Sequence, residues 1–280
     1  MPWFLHLSDP WCESSISGEP CKSRWHQRQE ARCLQRAQRI SFTSATTLER
    51  YRQRYPALSG RMVFDPNTYT SAQVNQQPWQ PASRFRLVHT GSFTLERRPD
   101  TLFQALDALP ADHPLLQELT LIHAGPVDGH TRQLFSRAAG WIEDQGPVPG
   151  PVAHDLQLQA DLLLVVDYRF GNPRDAQYLP SKLTDYLAIR RPVLAITDRD
   201  SASWQFVQAN RLGVAIDHGD PAGVTNALID YWQAWRQRQR ERFELPSPSP
   251  AYSAEEVARR IADSAWAVVG NRVEVLDYIA

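Results

Sequence analysis

Between Phe85 and Tyr231 the chain alternates short, uninterrupted apolar runs with amphipathic stretches. The runs are FRLVHT (85–90), LTLIHA (119–124), a weaker one near Trp141, LLLVV (162–166), VLAI (193–196) and LGVAI (212–216). Strands covered by helices on both faces read as continuous apolar runs, and helices fill the intervals between parallel neighbours. The pattern predicts an α/β fold with a mostly parallel sheet and right-handed crossovers. Ligands on such sheets lie beyond the carboxyl ends of the strands, so each residue that directly follows a strand is a candidate.

The first eighty residues carry a smaller version of the pattern. Trp3–Leu7 reads as a strand, Trp25–Arg39 as a helix, Ile40–Thr43 as a strand, Thr46–Tyr55 as a helix capped by Ser44, and Met62–Phe64 as a third strand. Asn67–Ser83 is rich in Gln, Asn and Pro without periodicity, which places a linker there. After Leu245 the run PSPSP (246–250) marks a second break, and Ser253 followed by Glu255 and Glu256 starts a final helix. The expected division is 1–80, 81–245 and 246–280.

Candidate chemistry concentrates in YLPSKLTDYLAIRRPVLAI (178–196). Pro180 suits a first helical turn, and Leu183, Tyr186 and Leu187 then share one face. Ser181, Lys182 and Asp185 are left at the helix start. Backbone N–H groups there attract an anion, Lys182 adds a full charge, and Asp185 can accept from hydroxyls. Anion plus sugar hydroxyls describes a nucleotide. A lysine opposes the dipole at this end of a helix, so mere solvation explains Lys182 poorly, whereas Asp185 is equally explained as a first-turn acid. Gly91, just after FRLVHT, would let backbone approach a diphosphate with the N–H of Ser92 or Phe93 as donor; a tight turn without a ligand is the alternative. His89 and His123 end their runs nearby, where packing is the commoner role for a histidine.

Composition narrows the partners. The 280 residues include 30 basic and 31 acidic side chains, net −1, so no global field draws the chain to nucleic acid. Arg24, Arg28, Arg32 and Arg36 recur every four residues; the stripe either faces water, with Glu30 nearby, or meets acidic lipid or a lipid-diphosphate acceptor. Cys12, Cys21 and Cys33 match no zinc spacing, and without an apolar leader they are expected to be reduced cytoplasmic thiols. No apolar run exceeds Leu162–Val166, far short of a membrane span.

The runs HTGSFTLERRPDTLFQAL (89–106), GPV (146–148), ADLLLVV (160–166), PSKLTDYLAIRRPVLAI (180–196) and LGVAI (212–216) resemble, in order and spacing, the donor half of GT-B glycosyltransferases of the group 1, or family 4, type. The resemblance covers about Phe85 to Trp232. LHLSDPW (5–11) and RISFTSATTLERYRQRYP (39–56) look like the last strands and helices of that family's acceptor domain. It implies a GT-B-like α/β fold: a Rossmann-like parallel-sheet donor domain and a second Rossmann-like domain, with the final helix crossing back to the N-terminal part. That second domain is expected to be partial, since a whole one takes about 100 to 150 residues.

For the reaction, the resemblance implies transfer of a hexose from a nucleoside-diphosphate sugar to a glycan or lipid-linked acceptor of cell-surface polysaccharide assembly, with retention at the anomeric carbon. No cofactor and no metal are implied, because basic residues and a helix N-terminus stabilise the leaving diphosphate. The implied location is the cytoplasm or the inner face of the membrane. Arg98 matches the position where the family sets a cation on the β-phosphate beside Lys182; a surface pairing with Glu96 is the alternative. Counting back from Pro192, the family's two acids fall on Gln177, for the transferred sugar, and Asp185, for the ribose. Both depart from the pattern: Asp185 has a shorter reach, and Gln177 keeps hydrogen bonding without charge. Ser92 stands where the family often has Arg. Gly146 and Val148 would flank the nucleobase, whose identity stays open. A non-catalytic nucleotide-sugar-binding subunit, or a piece of a longer glycosyltransferase, is the rival reading.

Overall fold

The computed structural model describes residues 3–12, 24–94, 97–138, 140–169 and 176–277, with 269–277 as backbone alone. Contacts divide the chain into two compact units: residues 1–71, 170–181 and 249–280 form the first, and 72–169 with 182–248 form the second. The described residues 176–181, which the apolar pattern leaves with the large sheet, thus group with the N-terminal part. Within this unit the Thr47 hydroxyl donates to the Gln177 carbonyl at 3.2 Å.

In the first unit, β1 (Phe4–Leu7), β2 (Arg39–Phe42) and β3 (Met62–Phe64) form a parallel sheet in that order, joined through α1 (Arg24–Arg36) and α2 (Ala45–Arg54). Leu34, Ile40, Phe42, Leu48, Tyr51 and Met62 fill its core. The first helix stops at Arg36, short of the expected Arg39, because Arg39 already pairs with Phe4 in the sheet. Ser44 caps α2 by accepting from the Thr47 N–H. Among the described residues Cys12 and Cys33 form no disulfide, and Cys21 lies outside the described residues.

The arginine stripe of α1 is exposed, together with Trp25, but Glu30 is not part of that solvated face. It is wholly buried, accepting from the Tyr51 hydroxyl at 2.5 Å, the Cys12 N–H at 3.2 Å and the Tyr55 hydroxyl at 2.8 Å, with Arg54 at 3.3 Å. Burial, reinforced by Glu30, pushes the Tyr55 hydroxyl well above its ordinary range. Removing the carboxylate strands several buried donors at once. Glu30→Ala is therefore expected to lower stability by about 3 kcal/mol in urea unfolding, with Glu30→Gln costing less.

The second unit runs β4 (Phe85–Thr90), α3 (Asp100–Asp107), α4 (Pro114–Glu118), β5 (Leu119–Ala124), α5 (Gly129–Arg137), β6 (Ile142–Asp144), α6 (Gly150–Leu158), β7 (Leu162–Val166), α7 (Lys182–Ile189), β8 (Val193–Ile196), α8 (Ala202–Ala209), β9 (Gly213–Ile216) and α9 (Pro221–Arg236). All six described strands are parallel, in the order β6-β5-β4-β7-β8-β9. The continuous apolar runs are continuously buried strands: every residue of β5, β7 and β8 is covered. α4 is the short helix that no periodicity signals; Pro114 opens it, and His113 caps it by accepting from the Leu115 N–H at 3.2 Å.

The strand order reverses between β4 and β7, the topological switch point where open α/β sheets bind ligands. β4 pairs with β5 along its whole length, from Phe85↔Leu119 to Thr90↔Ala124. Its pairing with β7 covers only Leu87↔Leu162 and Val88↔Leu163. The registered pairing of β4 with β7 thus does not extend to their carboxyl ends, Thr90 and Val166. The last helix, α10 (Ala254–Asp277), belongs to the first unit and is capped by Ser253, which accepts from the Glu256 N–H at 3.2 Å and bridges to Tyr69. No described helix is long and apolar enough to cross a membrane.

Candidate functional site

Thr90, the last residue of β4, is tied from three directions. Its carbonyl accepts from the Lys182 ammonium at 2.8 Å, its hydroxyl accepts from Gln157 of α6 at 2.7 Å, and the Tyr186 hydroxyl of α7 lies 3.3 Å away. Gly91 follows with φ +131°, and a Cβ there would occupy the space of the Lys182 ammonium. Glycine at this position lets a charged side chain lie against backbone at the switch point. Burial first, and the neighbouring Arg97 second, draw the Lys182 pKa down to about 8, while Asp167 opposes them. A cation depressed in this way gains most from an anion brought beside it.

The turns after three adjacent strands are locked together around Gly91. The Gly91 N–H donates to the Ala124 carbonyl and the Gly125 N–H to the Gly146 carbonyl, each at 2.8 Å, and the Phe93 N–H donates to Pro126 at 2.9 Å. Of the expected backbone donors, Phe93 is thus committed, and Ser92 carries the N–H left for a ligand. His123 clamps the arrangement: Nε2 lies 3.1 Å from the Gly91 carbonyl and Nδ1 2.9 Å from Asp144, whose same oxygen accepts from the Gly146 N–H at 3.1 Å. Gly146, with φ +62°, and half-buried Val148 sit in the turn between β6 and α6.

His89 faces His123 in register with the rings 5.4 Å apart, and the Phe93 ring stacks against both, at 3.8 Å from His89 and 4.8 Å from His123. Burial, then Lys182, His123 and Arg97, push the His89 pKa well below the ordinary range. It is a neutral packing ring.

The two adjacent arginines meet different partners. Arg98 Nε donates to Asp128 at 2.8 Å, and Asp128 caps α5 by accepting from the Thr131 N–H. Slight burial raises the Asp128 pKa, but the Thr131 N–H and Arg98 outweigh it and bring the carboxyl to about 2. Arg97 instead lies over the Tyr168 ring at 4.0 Å, and its charge acts on Lys182, His89 and Asp167.

Sequence reasoning also missed Asp167, which directly follows β7. It is wholly buried, accepting from Ser203, from Thr197 at 3.4 Å and from the Tyr168 N–H at 2.7 Å, and burial raises its pKa. The available signal was an acid at the end of the LLLVV run, on the other side of the switch point from Gly91. Asp185 lies half-buried on the first turn of α7, its pKa raised by burial and lowered by His154. α7 starts at Lys182 rather than Pro180, with exposed Ser181 just before it. Gln177 and Ser181 fall in the first unit, where Gln177 is wholly buried. Gly91, Ser92, Arg97, Asp167, Lys182 and Asp185 all belong to the second.

No protein-family model matches the chain, and no curated protein matches it. Solved structures do. The Anabaena protein Alr3699/HepE, in complex with UDP and glucose, superimposes with a TM-score of 0.66 at 14% identity, covering 94% of this chain and 71% of that one. Sucrose-phosphate synthase from Thermosynechococcus elongatus gives 0.68 at 16% identity, covering 96% and 68%. WaaG, a glycosyltransferase involved in lipopolysaccharide biosynthesis, gives 0.58 at 14% identity, covering 86% and 70%. At these identities the likeness establishes a shared fold.

Proposed function

We propose, from the GT-B glycosyltransferase fold that this chain shares with those structures, that its second unit binds a nucleoside-diphosphate sugar and that the chain transfers the sugar to an acceptor. The observation that carries the reading is the Lys182 ammonium seated against Gly91 at the switch point. A diphosphate there would take the Ser92 N–H and the charges of Lys182 and Arg97. As the bond from the anomeric carbon to the departing phosphate oxygen breaks, negative charge builds on that oxygen, and fixed cations stabilise it without a proton transfer. Asp185 is assigned to the ribose hydroxyls and the Gly146–Val148 turn to the base.

UDP is the first nucleotide to test, because the HepE structure and that of the pneumococcal O-GlcNAc transferase GtfA both contain it. Transfer of a hexose with retention, to a glycan or lipid-linked acceptor of surface polysaccharide assembly, completes the proposal. The exposed arginines of α1 are the surface we assign to an acidic lipid or lipid-diphosphate at the inner face of the membrane. A second reading, binding without turnover, is favoured by one observation: Gln177, at the position expected to grip the transferred sugar, is an amide and is wholly buried.

Calorimetric titration with UDP, GDP and ADP without metal tests the site. No binding at millimolar concentration sinks the proposal. Binding of a diphosphate with neither transfer nor hydrolysis of any sugar donor selects the second reading.

A further inference from the structure

A second charged site lies at the opposite end of the large sheet. Arg86 is the second residue of β4, Ala160 just precedes β7, and Arg191 just precedes β8, so all three mark the amino ends of strands whose carboxyl ends carry Gly91 and Asp167. A six-residue strand separates the two ends by about 17 to 20 Å. Here Arg86, Gln159 and Arg191 line a cavity of about 470 Å³ beside Trp79 and Gln80, and Arg191 also lines a neighbouring cavity of about 230 Å³.

Arg191 is the unusual member. Only 4% of it is exposed, and among the described residues its Nε has no partner and its one hydrogen bond, to the Arg190 carbonyl, is at the outer limit of 3.5 Å. It forms no ion pair among the described residues. The two acids whose charge reaches it, Glu244 and Asp161, are committed elsewhere. Asp161 accepts from the Trp79 indole at 2.7 Å with one oxygen and from the Arg86 N–H at 2.8 Å with the other. Glu244 accepts from the Trp79 N–H and pairs with Arg240 at 2.6 Å. The Arg86 side chain is similarly underused: its Nε has no partner and its Nη1 reaches Gln159 only at 3.4 Å.

A guanidinium does not shed its proton, and burying one unpaired is costly, so buried Arg191, with half-buried Arg86 beside it on one cavity, calls for an anion from outside. Their planar forks match the paired oxygens of a phosphate or carboxylate, and the Gln159 and Gln80 amides offer further donors. We propose that Arg86 and Arg191 form a binding site for a small oxyanion, a phosphate ester or a dicarboxylate, separate from the nucleotide crevice and independent of the transferase reading.

The test follows the melting temperature of the full chain against inorganic phosphate and malonate at constant ionic strength set with chloride. Saturable stabilisation of about 3 °C or more below about 20 mM anion is expected. It should persist in Lys182→Ala and weaken at least about tenfold in Arg191→Gln and in Arg86→Gln. The anion acting at the lower concentration identifies the ligand chemistry. Arg86→Gln decides the matter alone if Arg191→Gln does not fold. Absence of saturable stabilisation by either anion overturns the site, as does stabilisation lost in Lys182→Ala and kept in the arginine variants.

Discussion

Lys182→Ala is expected to weaken UDP binding roughly 10- to 100-fold and to lower kcat/KM by about a thousandfold, because its charge matters most when the diphosphate departs. The same side chain gives two opposite pH trends. With its pKa at about 8, the ammonium loses its proton as pH rises through 8, and UDP affinity should fall over that range in wild type but not in Lys182→Ala. Stability of the unliganded protein should do the reverse. Between pH 8 and 10 the unfolded chain keeps the lysine proton that the folded chain has released, so unfolding takes up a proton and stability rises, by at most about 1.4 kcal/mol per pH unit. Above pH 10 the buried Tyr186, its pKa raised to about 12 by burial, works against this, since the folded state then holds the extra proton. Urea unfolding at pH 7, 8, 9 and 10 checks the trend, and a flat wild-type profile matched by Lys182→Ala would show that the ammonium is not held as described.

What the sequence made legible was whatever burial writes as periodicity. β5, β7 and β8 are covered on both faces, so their positions followed from uninterrupted apolar runs. The lysine opening α7 stood out as an awkward residue for a helix start, whereas the glycine after β4 was equally well read as a tight turn, and their contact appears only in the fold. The Arg97 and Arg98 roles were not legible. In a loop without period, spacing does not set which way a side chain turns, and the choice was made by Asp128 at the α5 cap and the Tyr168 ring, both distant in sequence. Glu30 misled for a related reason: its neighbours on α1 are polar, and only the tyrosines of α2 and its end reveal that it points inward. Arg191 reads as an ordinary charged residue before a strand until the commitments of Asp161 and Glu244 are counted.

Two glycine substitutions separate the architecture of the crevice from its chemistry. Gly125 has φ +154°, and a Cβ there would strike the carbonyl carbon and oxygen of Gly91. That obstacle is backbone, held by the Ala124 and His123 hydrogen bonds, and cannot swing aside. Gly125→Ala is therefore expected to cost about 3 kcal/mol or more and to abolish UDP binding with it. At Gly91 the obstacle is the far end of the Lys182 side chain, which can move. Gly91→Ala adds the strain of a side chain at φ +131°, about 1 to 3 kcal/mol, without a backbone clash, yet it drives the ammonium off the Thr90 carbonyl and should weaken UDP as far as Lys182→Ala does. The two losses then overlap, because both remove one contact to one ligand. In the double variant, UDP affinity is expected to match the weaker single variant within about threefold rather than fall by the product of the two. Full additivity in that cycle would mean that Gly91 and Lys182 do not act on the same phosphate.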